Sequence, residues 1–447
     1  MQNNFRGDKK RWKVKVRAVW PRMGLVALIY LGLMVSFLWG LDCPAATNDL
    51  FLESTLPGRL GQADLPFVKR SRVAQVNWQA LGAEELQTSA GSEKKSVRLN
   101  LFPDTSYTAW VRQTEITRNQ ETIWQGGLEG NPGSEVTLVM KDGLLVGNVS
   151  FHGGRFQIRF LEDGFHRIRE VDPGGYPKEG DPIPIRTVED LAEKVPDKNN
   201  RTLFFQTLFL PSIFKPPIVD VMVAYTPAVL AAAGGVSAVN ALIALAVSET
   251  NTGYANSGVD QRINLVHTTV VSYSEAFFDW DITLDRLQGT TDGFMDQVHP
   301  LREAHQADLV ALLVNDGQLC GLGYLMTTPA KSFASFGFSL VNWECATGNF
   351  SLAHEMGHNM GSEHDRANAT GSGSYPYSFG YQAPNRSFRT IMAYDCPGVV
   401  GCPRVNHWSN PDVFYNGQPT GVVFTSPVSA DNRRSLNNTA PFVCNFR

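Results

Sequence analysis

The stretch from His354 to His364 constrains this chain more than any other feature, because it reads His-Glu-x-x-His-x-x-Gly-x-x-His. On an α-helix, positions four apart share one face about a turn apart. His354 and His358 can therefore aim two imidazoles at one point. Glu355 lies roughly 100° further round such a helix, close enough to reach a water held at that point without becoming a ligand. Gly361 takes positive φ without strain, so the helix can end there and the chain can turn back to deliver His364. Three histidines plus an open fourth position form the donor set of catalytic Zn2+, whereas a structural site is usually closed by four ligands, often with cysteine. The chain has 9 His among 447 residues. At that frequency, ordinary helices with solvated histidines would match all five fixed positions in about one of 10⁵ such chains.

The length suits two domains and a leader better than one core. Hydrophobic residues make up 43% and charged residues 18%, a balance that favours folding over disorder. The formal net charge is -4, and no basic tract lies beyond the first 25 residues. Nucleic acid is therefore not an expected partner.

Residues 1–46 read as a targeting segment. Lys9, Lys10, Arg11, Lys13, Lys15, Arg17 and Arg22 form a basic region, Met23 to Leu41 runs apolar without charge, and Ala45-Ala46 offers a cleavage site. The apolar run is also about long enough to span a bilayer. Either a cleaved signal or an uncleaved anchor puts the rest of the chain outside the cytoplasm, secreted or periplasmic. A membrane is expected as a partner only through an uncleaved leader. The cysteines agree with export. Cys43 lies in the leader, while Cys320, Cys345, Cys396, Cys402 and Cys444 all lie in the last third and suit a disulfide framework with one left over. Spacing does not fix the pairing; the expectation taken forward is Cys320 with Cys345 and Cys396 with Cys402.

Residues 47–172 read as β-rich. Short alternating or apolar runs (Val97–Phe102, Ser106–Arg112, Glu135–Met140, Leu144–Phe151, Phe156–Phe160) are separated by turn signals such as Asn131-Pro132-Gly133 and Lys141-Asp142-Gly143. Residues 173–217 carry eight prolines and read as a linker without regular elements, apart from a short helix near Val188–Lys194. Such linkers are where proteases cut. From residue 218 strands alternate with helices, which predicts an α/β sandwich with a mostly parallel sheet. Phe333–Val341 reads as a strand ahead of the motif helix, and Gly321-Leu322-Gly323 reads as a turn.

The motif and its surroundings resemble the metzincin metallopeptidases. Their second hallmark is a methionine turn, and Thr390-Ile391-Met392-Ala393-Tyr394 follows His364 by 28 residues. Asp365 resembles the adamalysin, or reprolysin, branch. Tyr394 resembles the astacin and serralysin branches, where that tyrosine helps bind zinc or the transition state. The pattern is most similar to bacterial reprolysin-like enzymes of the peptidyl-Asp metallopeptidase type. Val219-Asp220-Val221-Met222-Val223-Ala224-Tyr225-Thr226-Pro227, Cys345-Ala346-Thr347-Gly348, Ser409-Asn410-Pro411-Asp412-Val413 and the terminal Asn445-Phe446-Arg447 carry that likeness. It covers roughly residues 218–447 and, more weakly, the segment before them.

The resemblance implies a metzincin-like α/β (α+β) catalytic domain with a mixed, mostly parallel sheet and a zinc-binding helix. It implies a secreted zinc endopeptidase acting on proteins or peptides, with a preference for Asp beside the scissile bond. His354, His358 and His364 would hold zinc, with Glu355 as general base, Tyr394 stabilising charge and Met392 as an apolar floor. Phe333–Val341 would be the sheet edge against which a substrate adds as a strand. A calcium site at Asp412, Asp431 and Asn432, of a kind some relatives carry, is a further expectation. Isolated Asp and Asn more often mark turns. Other functions compatible with the motif are a zinc hydrolase of a non-protein amide and an inactive metzincin-like binding protein. Position suggests that the β-rich segment is a propeptide; a permanent domain binding substrate or cell surface is the competing reading. Residues 47–217 contain no cysteine, so latency would need another group, such as a carboxylate, or plain blockage of the cleft. The oligomeric state is not readable.

Overall fold

The computed structural model describes residues 48–53, 65–82, 95–185, 216–396 and 402–447. The leader, Cys43, the helix expected near Val188–Lys194 and most of the expected processing region lie outside the described residues.

The first domain is an antiparallel meander. Its strands are β1 (Phe51–Glu53), β2 (Val68–Val76), β3 (Ser96–Phe102), β4 (Thr105–Ile116), β5 (Thr122–Leu128), β6 (Glu135–Lys141), β7 (Leu144–Phe151), β8 (Gly154–Phe160) and β9 (Phe165–Val171), in the order β1-β2-β9-β8-β7-β6-β5-β4-β3. The ends of this sheet meet, because Leu50 N–H donates to Arg98 O at 2.8 Å and Arg98 N–H to Asn48 O at 3.0 Å. The closed sheet surrounds a core that includes Leu99, Leu101, Leu138, Phe156 and Ile158. Strand alternation puts neighbouring residues on opposite faces. Leu138 thus points inward, while Val139 joins Ile123, Leu144 and Val146 against Ala238, Ala241, Ala244 and Leu245 of a helix in the second domain.

The second domain carries β11 (Ile218–Tyr225), α1 (Pro227–Ala233), α2 (Val236–Asn256), β12 (Arg262–Val270), α3 (Trp280–Gln288), α4 (Val298–Ala304), β13 (Leu309–Val314), β14 (Gly321–Met326), β15 (Phe338–Asn342), α5 (Ser351–Asn359), β16 (Glu363–Asp365), β17 (Phe379–Gly380), β18 (Phe414–Tyr415), β19 (Gln418–Pro419) and α6 (Asn432–Val443). Strands β12, β11, β13 and β15 are parallel, and β14 runs antiparallel to β15. Every residue of β13 is buried, as expected of a strand covered on both faces. The alanine-rich helix α2 packs on β12, on α5 and on the first domain. Among the described residues no single helix is long and apolar enough to cross a membrane.

Three local expectations need correction. Phe333–Val341 is not one strand: Lys331–Phe336 forms a 3-10 turn ended by Gly337, and only Phe338–Asn342 is extended. Phe333 and Phe336 follow a three-residue period, which a run of apolar residues disguises as a strand. That strand, β15, is also interior, flanked by β13 and β14. Gly321-Leu322-Gly323 is not a turn but the start of β14. Finally, the proline-rich linker does hold a regular element: β10 (Ile183–Ile185) pairs in parallel with Tyr324–Met326 of β14. Pro184 is tolerated because β10 is the outermost strand, where a missing N–H breaks no ladder.

Candidate metal centre

Helix α5 is buried along its whole length, and Phe350 starts it in a left-handed conformation. His354 and His358 lie one turn apart on it. Gly361 has φ 86°, its N–H donates to His358 O at 2.9 Å, and Ser362 N–H donates to Gly357 O at 2.8 Å. This closure ends the helix and swings the chain into β16, which carries His364. The three Nε2 atoms stand 3.1 Å apart in all three pairs. His354 Nδ1 lies 2.9 Å from Ile391 O and His358 Nδ1 2.8 Å from Ser362 O. A nitrogen facing a carbonyl carries the proton, so Nε2 of both rings is a bare lone pair. Burial, before any other cause, lowers the proton affinity of all three rings, His358 to about 3. Converging lone pairs on neutral buried rings repel unless a cation sits among them. Tetrahedral Zn2+ with bonds to nitrogen of about 2.0–2.1 Å needs ligands about 3.3–3.4 Å apart, within a few tenths of what is present. Among the described residues this is the one cluster of three or more such side chains able to share an ion.

The floor is built by close approach. A Cβ on Gly357 would stand 2.7 Å from Met392 Sδ and 2.8 Å from Trp408, so glycine lets the helix sit directly on both. Trp408 in turn stacks on Tyr254 of α2, with ring centroids 5.4 Å apart. Asp365 ties the third-histidine segment to the methionine turn by accepting from Tyr394 N–H at 3.0 Å. Tyr394 packs its ring 4.1 Å from that of His364.

Glu355 is buried, and neither carboxylate oxygen has a hydrogen-bond partner among the described residues. Burial pushes its proton affinity up; the charge of Glu179 adds to this and Arg404 opposes it. Its side chain lies against the start of β14, where a Cβ on Gly321 would stand 2.4 Å from Oε1. The edge nearest Glu355 is therefore β14, not the interior strand Phe338–Asn342.

That edge is covered by the chain itself. Cys320 N–H donates to Lys178 O and Gly180 N–H to Gly321 O, each at 2.8 Å, and β10 continues the pairing. Tyr394 Oη donates to Glu179 O at 2.9 Å and lies 3.2 Å from Asp181 Oδ1. Asp181 Oδ1 is 4.0 Å from His364 Nδ1. Glu179 reaches inward to a buried pair with Arg404, 2.5 Å apart. Sequence reasoning passed over Glu179, Asp181, Arg404, Gly321, Gly357 and Trp408. The usable signals were an acidic Glu-Gly-Asp inside an otherwise proline-marked linker and glycines inside apolar runs.

The remaining expectations lie elsewhere. His166 is buried and His407 half-buried, but neither joins the three-histidine cluster, and His267 stacks on His305. Asp412, Asp431 and Asn432 do not form a calcium site: Asp412 pairs with Arg433, Asp431 caps α6, and Asn432 accepts from Ser409. Cys320–Cys345 and Cys396–Cys402 are bonded, and Cys444 is free among the described residues.

A reprolysin-type model of metallo-peptidase family M12 matches residues 215–409. The chain is 36% identical over 346 residues to the peptidyl-Asp metalloendopeptidase of Stenotrophomonas maltophilia strain R551-3, covering 76% of each. It is 33% identical over 381 residues to the peptidyl-Asp metalloendopeptidase of Xanthomonas campestris pv. campestris, covering 82% of this chain and 86% of that one. Fold and site thus define an enzyme class, the zinc metalloendopeptidases. Within it, the chain belongs to the peptidyl-Asp metalloendopeptidase family. Alignments of 346 and 381 residues exceed the length of region 218–447, so the similarity reaches into the β-rich domain.

Proposed function

We propose that this chain is an exported endopeptidase, made as a zymogen, that cuts beside aspartate with Glu355 as its general base. The observation that carries the reading is the convergence of three neutral Nε2 atoms 3.1 Å apart, with the unpartnered Glu355 carboxylate on the same helix. His354, His358 and His364 would hold the ion; when bound, zinc supplies Lewis acidity and a water acidic enough to attack near neutral pH. Glu355 takes the proton of the attacking water and returns it to the leaving amine. Its lack of hydrogen-bond partners leaves both oxygens available for that transfer. The Tyr394 hydroxyl donates to the substrate carbonyl as negative charge grows on its oxygen, in the way it now donates to Glu179 O. Substrate lies along β14 through main-chain hydrogen bonds, in the place now taken by residues 178–185. The preference for Asp is read from the relatives' activity. The relatives are endopeptidases, and no observation favours a non-protein amide or a binding role.

The occupied cleft supports a propeptide role for residues 48–185. Residues 47–217 contain no cysteine, and the groups set against the site are the carboxylates of Glu179 and Asp181. Export rests on the basic and apolar leader, and the two disulfides suit an oxidising compartment.

The deciding measurement is cleavage of an unfolded protein by processed enzyme, with and without chelator, beside Glu355→Gln. Chelation is expected to abolish cleavage, restored by Zn2+. Glu355→Gln is expected to retain zinc but lose at least about 10³-fold in kcat. Equal cleavage by wild type and Glu355→Gln would sink the assignment of the base.

A further inference from the structure

We infer that Arg404, with Ser351 and Asn349, forms the subsite that selects an acidic substrate side chain, and that Glu179 fills it until its segment leaves the cleft. The inference rests on the Asp-directed endopeptidase reading above and names the residues that would produce the preference.

The pocket is built from the catalytic domain alone. Glu179 Oε1 lies 2.5 Å from Arg404 Nη1, 2.8 Å from Ser351 Oγ and 3.4 Å from Asn349 Nδ2. Ser351 opens helix α5, so the carboxylate also sits at the positive end of the metal helix. Arg404 is held rigid by its other contacts: Nη1 donates to Asn349 O at 3.0 Å and Nη2 to Ala393 O at 3.5 Å. Those two carbonyls belong to the approach to the metal helix and to the methionine turn. The guanidinium is thus fixed to both walls of the site, and its Nε has no partner among the described residues.

The occupant comes from the segment that must leave. Side-chain exposure of the pair is 2% for Arg404 and 1% for Glu179. Removing residues 178–185 strands a buried guanidinium without its counter-charge, a costly state unless water or another anion replaces the carboxylate. Glu179 Oε2 is buried and unpartnered, so the pocket is not tailored to this glutamate in every contact.

Position links the pocket to the scissile bond. The residue whose side chain enters it is also the residue whose carbonyl accepts from Tyr394 Oη at 2.9 Å. The next residue, Gly180, bonds the edge strand at Gly321, beside Glu355. A substrate residue at the bond whose carbonyl Tyr394 holds would bring its side chain within reach of Arg404. Aspartate supplies the charge that a buried, pre-positioned fork requires, whereas asparagine leaves the fork unpaired.

The test uses two peptides that differ only in Asp or Asn at the residue beside the scissile bond. The full chain, processed to its active form, is assayed as wild type and as Arg404→Gln. Wild type is expected to prefer Asp over Asn in kcat/KM by at least about 30-fold, and Arg404→Gln to bring that ratio within about threefold. The ratio is the readout, so a general loss of activity does not imitate the result. Because Arg404 also braces the site and its variant can fail to fold, a second measurement leaves the protein unaltered. A synthetic peptide of residues 176–185 is expected to inhibit processed wild type competitively, and Glu179→Gln in that peptide to raise Ki at least about 30-fold. A wild-type preference that persists in Arg404→Gln, or equal Ki for both peptides, overturns the pocket and leaves the endopeptidase reading standing. A wild type that ignores Asp overturns the pocket and the Asp-directed reading together.

Discussion

Gly321 sits where the edge strand passes closest to Glu355. A Cβ there would stand 2.4 Å from Glu355 Oε1 and 2.5 Å from its Cγ. The obstructing atoms belong to a flexible side chain, so the fold can survive while the base swings out of place. Gly321→Ala is expected to lower kcat by at least about 100-fold, since misplacement by about 1 Å costs that much. Its melting temperature should stay within about 3 °C of wild type. If kcat instead holds within threefold, Glu355 does not act from this position. The histidines, Glu355 and Gly361 were legible in the sequence because ligand chemistry and a positive-φ turn leave a spacing. Gly321 was not, because a glycine that admits a neighbour from elsewhere in the chain looks like a glycine that bends its own strand. Arg404 was hidden for the same reason: its partner Glu179 lies 225 residues earlier.

The alternation of strands with helices after residue 218 was read well, and individual elements less well where three-dimensional pairing decides. Strand β10 has three residues and a proline; only the free edge of β14 makes it a strand. Phe333–Val341 was assigned to the cleft edge because its order along the chain does not reveal that β14 inserts outside the strand it contains, Phe338–Asn342. Strand β9 shows a different effect of placement. His166 is fully buried, its Nε2 accepts from Leu145 N–H at 3.0 Å, and burial lowers its pKa to about 4. Unfolded, it would titrate near its ordinary value of about 6.5. Between these values the unfolded chain binds a proton that the native one refuses, so stability falls as pH drops from about 6.5 toward 4. The loss from this group at pH 5 is about 2 kcal/mol. His407, also lowered to about 4, acts in the same direction. Thermal melts of the full chain at pH 7 and pH 5 should show a drop that is smaller in His166→Gln. An identical drop in both would mean that His166 is not the neutral acceptor described.

At the scale of the molecule, the β-rich domain is attached by an interface that is partly apolar and unusually polar for its burial. Val139 and Val146 pack on the alanines of α2. Around them, Asn148 bonds Glu249 and Thr347, Gln125 bonds Ser248 and Thr252, and Glu135 accepts from Asn256 and Asn406. Arg169 makes a two-nitrogen pair with Glu344, at 2.7 and 3.3 Å. Polar groups of this kind hold two domains in register yet can be satisfied by water once they part, unlike the core of an obligate assembly. Such an interface suits the propeptide role proposed above. The β-rich segment was legible from its alternation and turn signals, but this contact was not, because its partners are up to 271 residues apart. On the proposed zymogen reading, processing is expected to fall within residues 186–217, which N-terminal sequencing of active enzyme would locate. After that cut, among the described residues, the interface and the cleft segment hold the halves together. Breaking the Arg169–Glu344 pair leaves a largely buried carboxylate without its cation, at a cost on the order of 3 kcal/mol. Arg169→Met should therefore speed dissociation of the nicked complex by about 100-fold, mostly through the off-rate, and bring on peptidase activity correspondingly sooner. Size-exclusion chromatography of the nicked complex over time, beside the activity time course, measures both. If Arg169→Met dissociates no faster than wild type, the polar interface does not retain the first domain, and retention falls to residues 178–185 in the cleft.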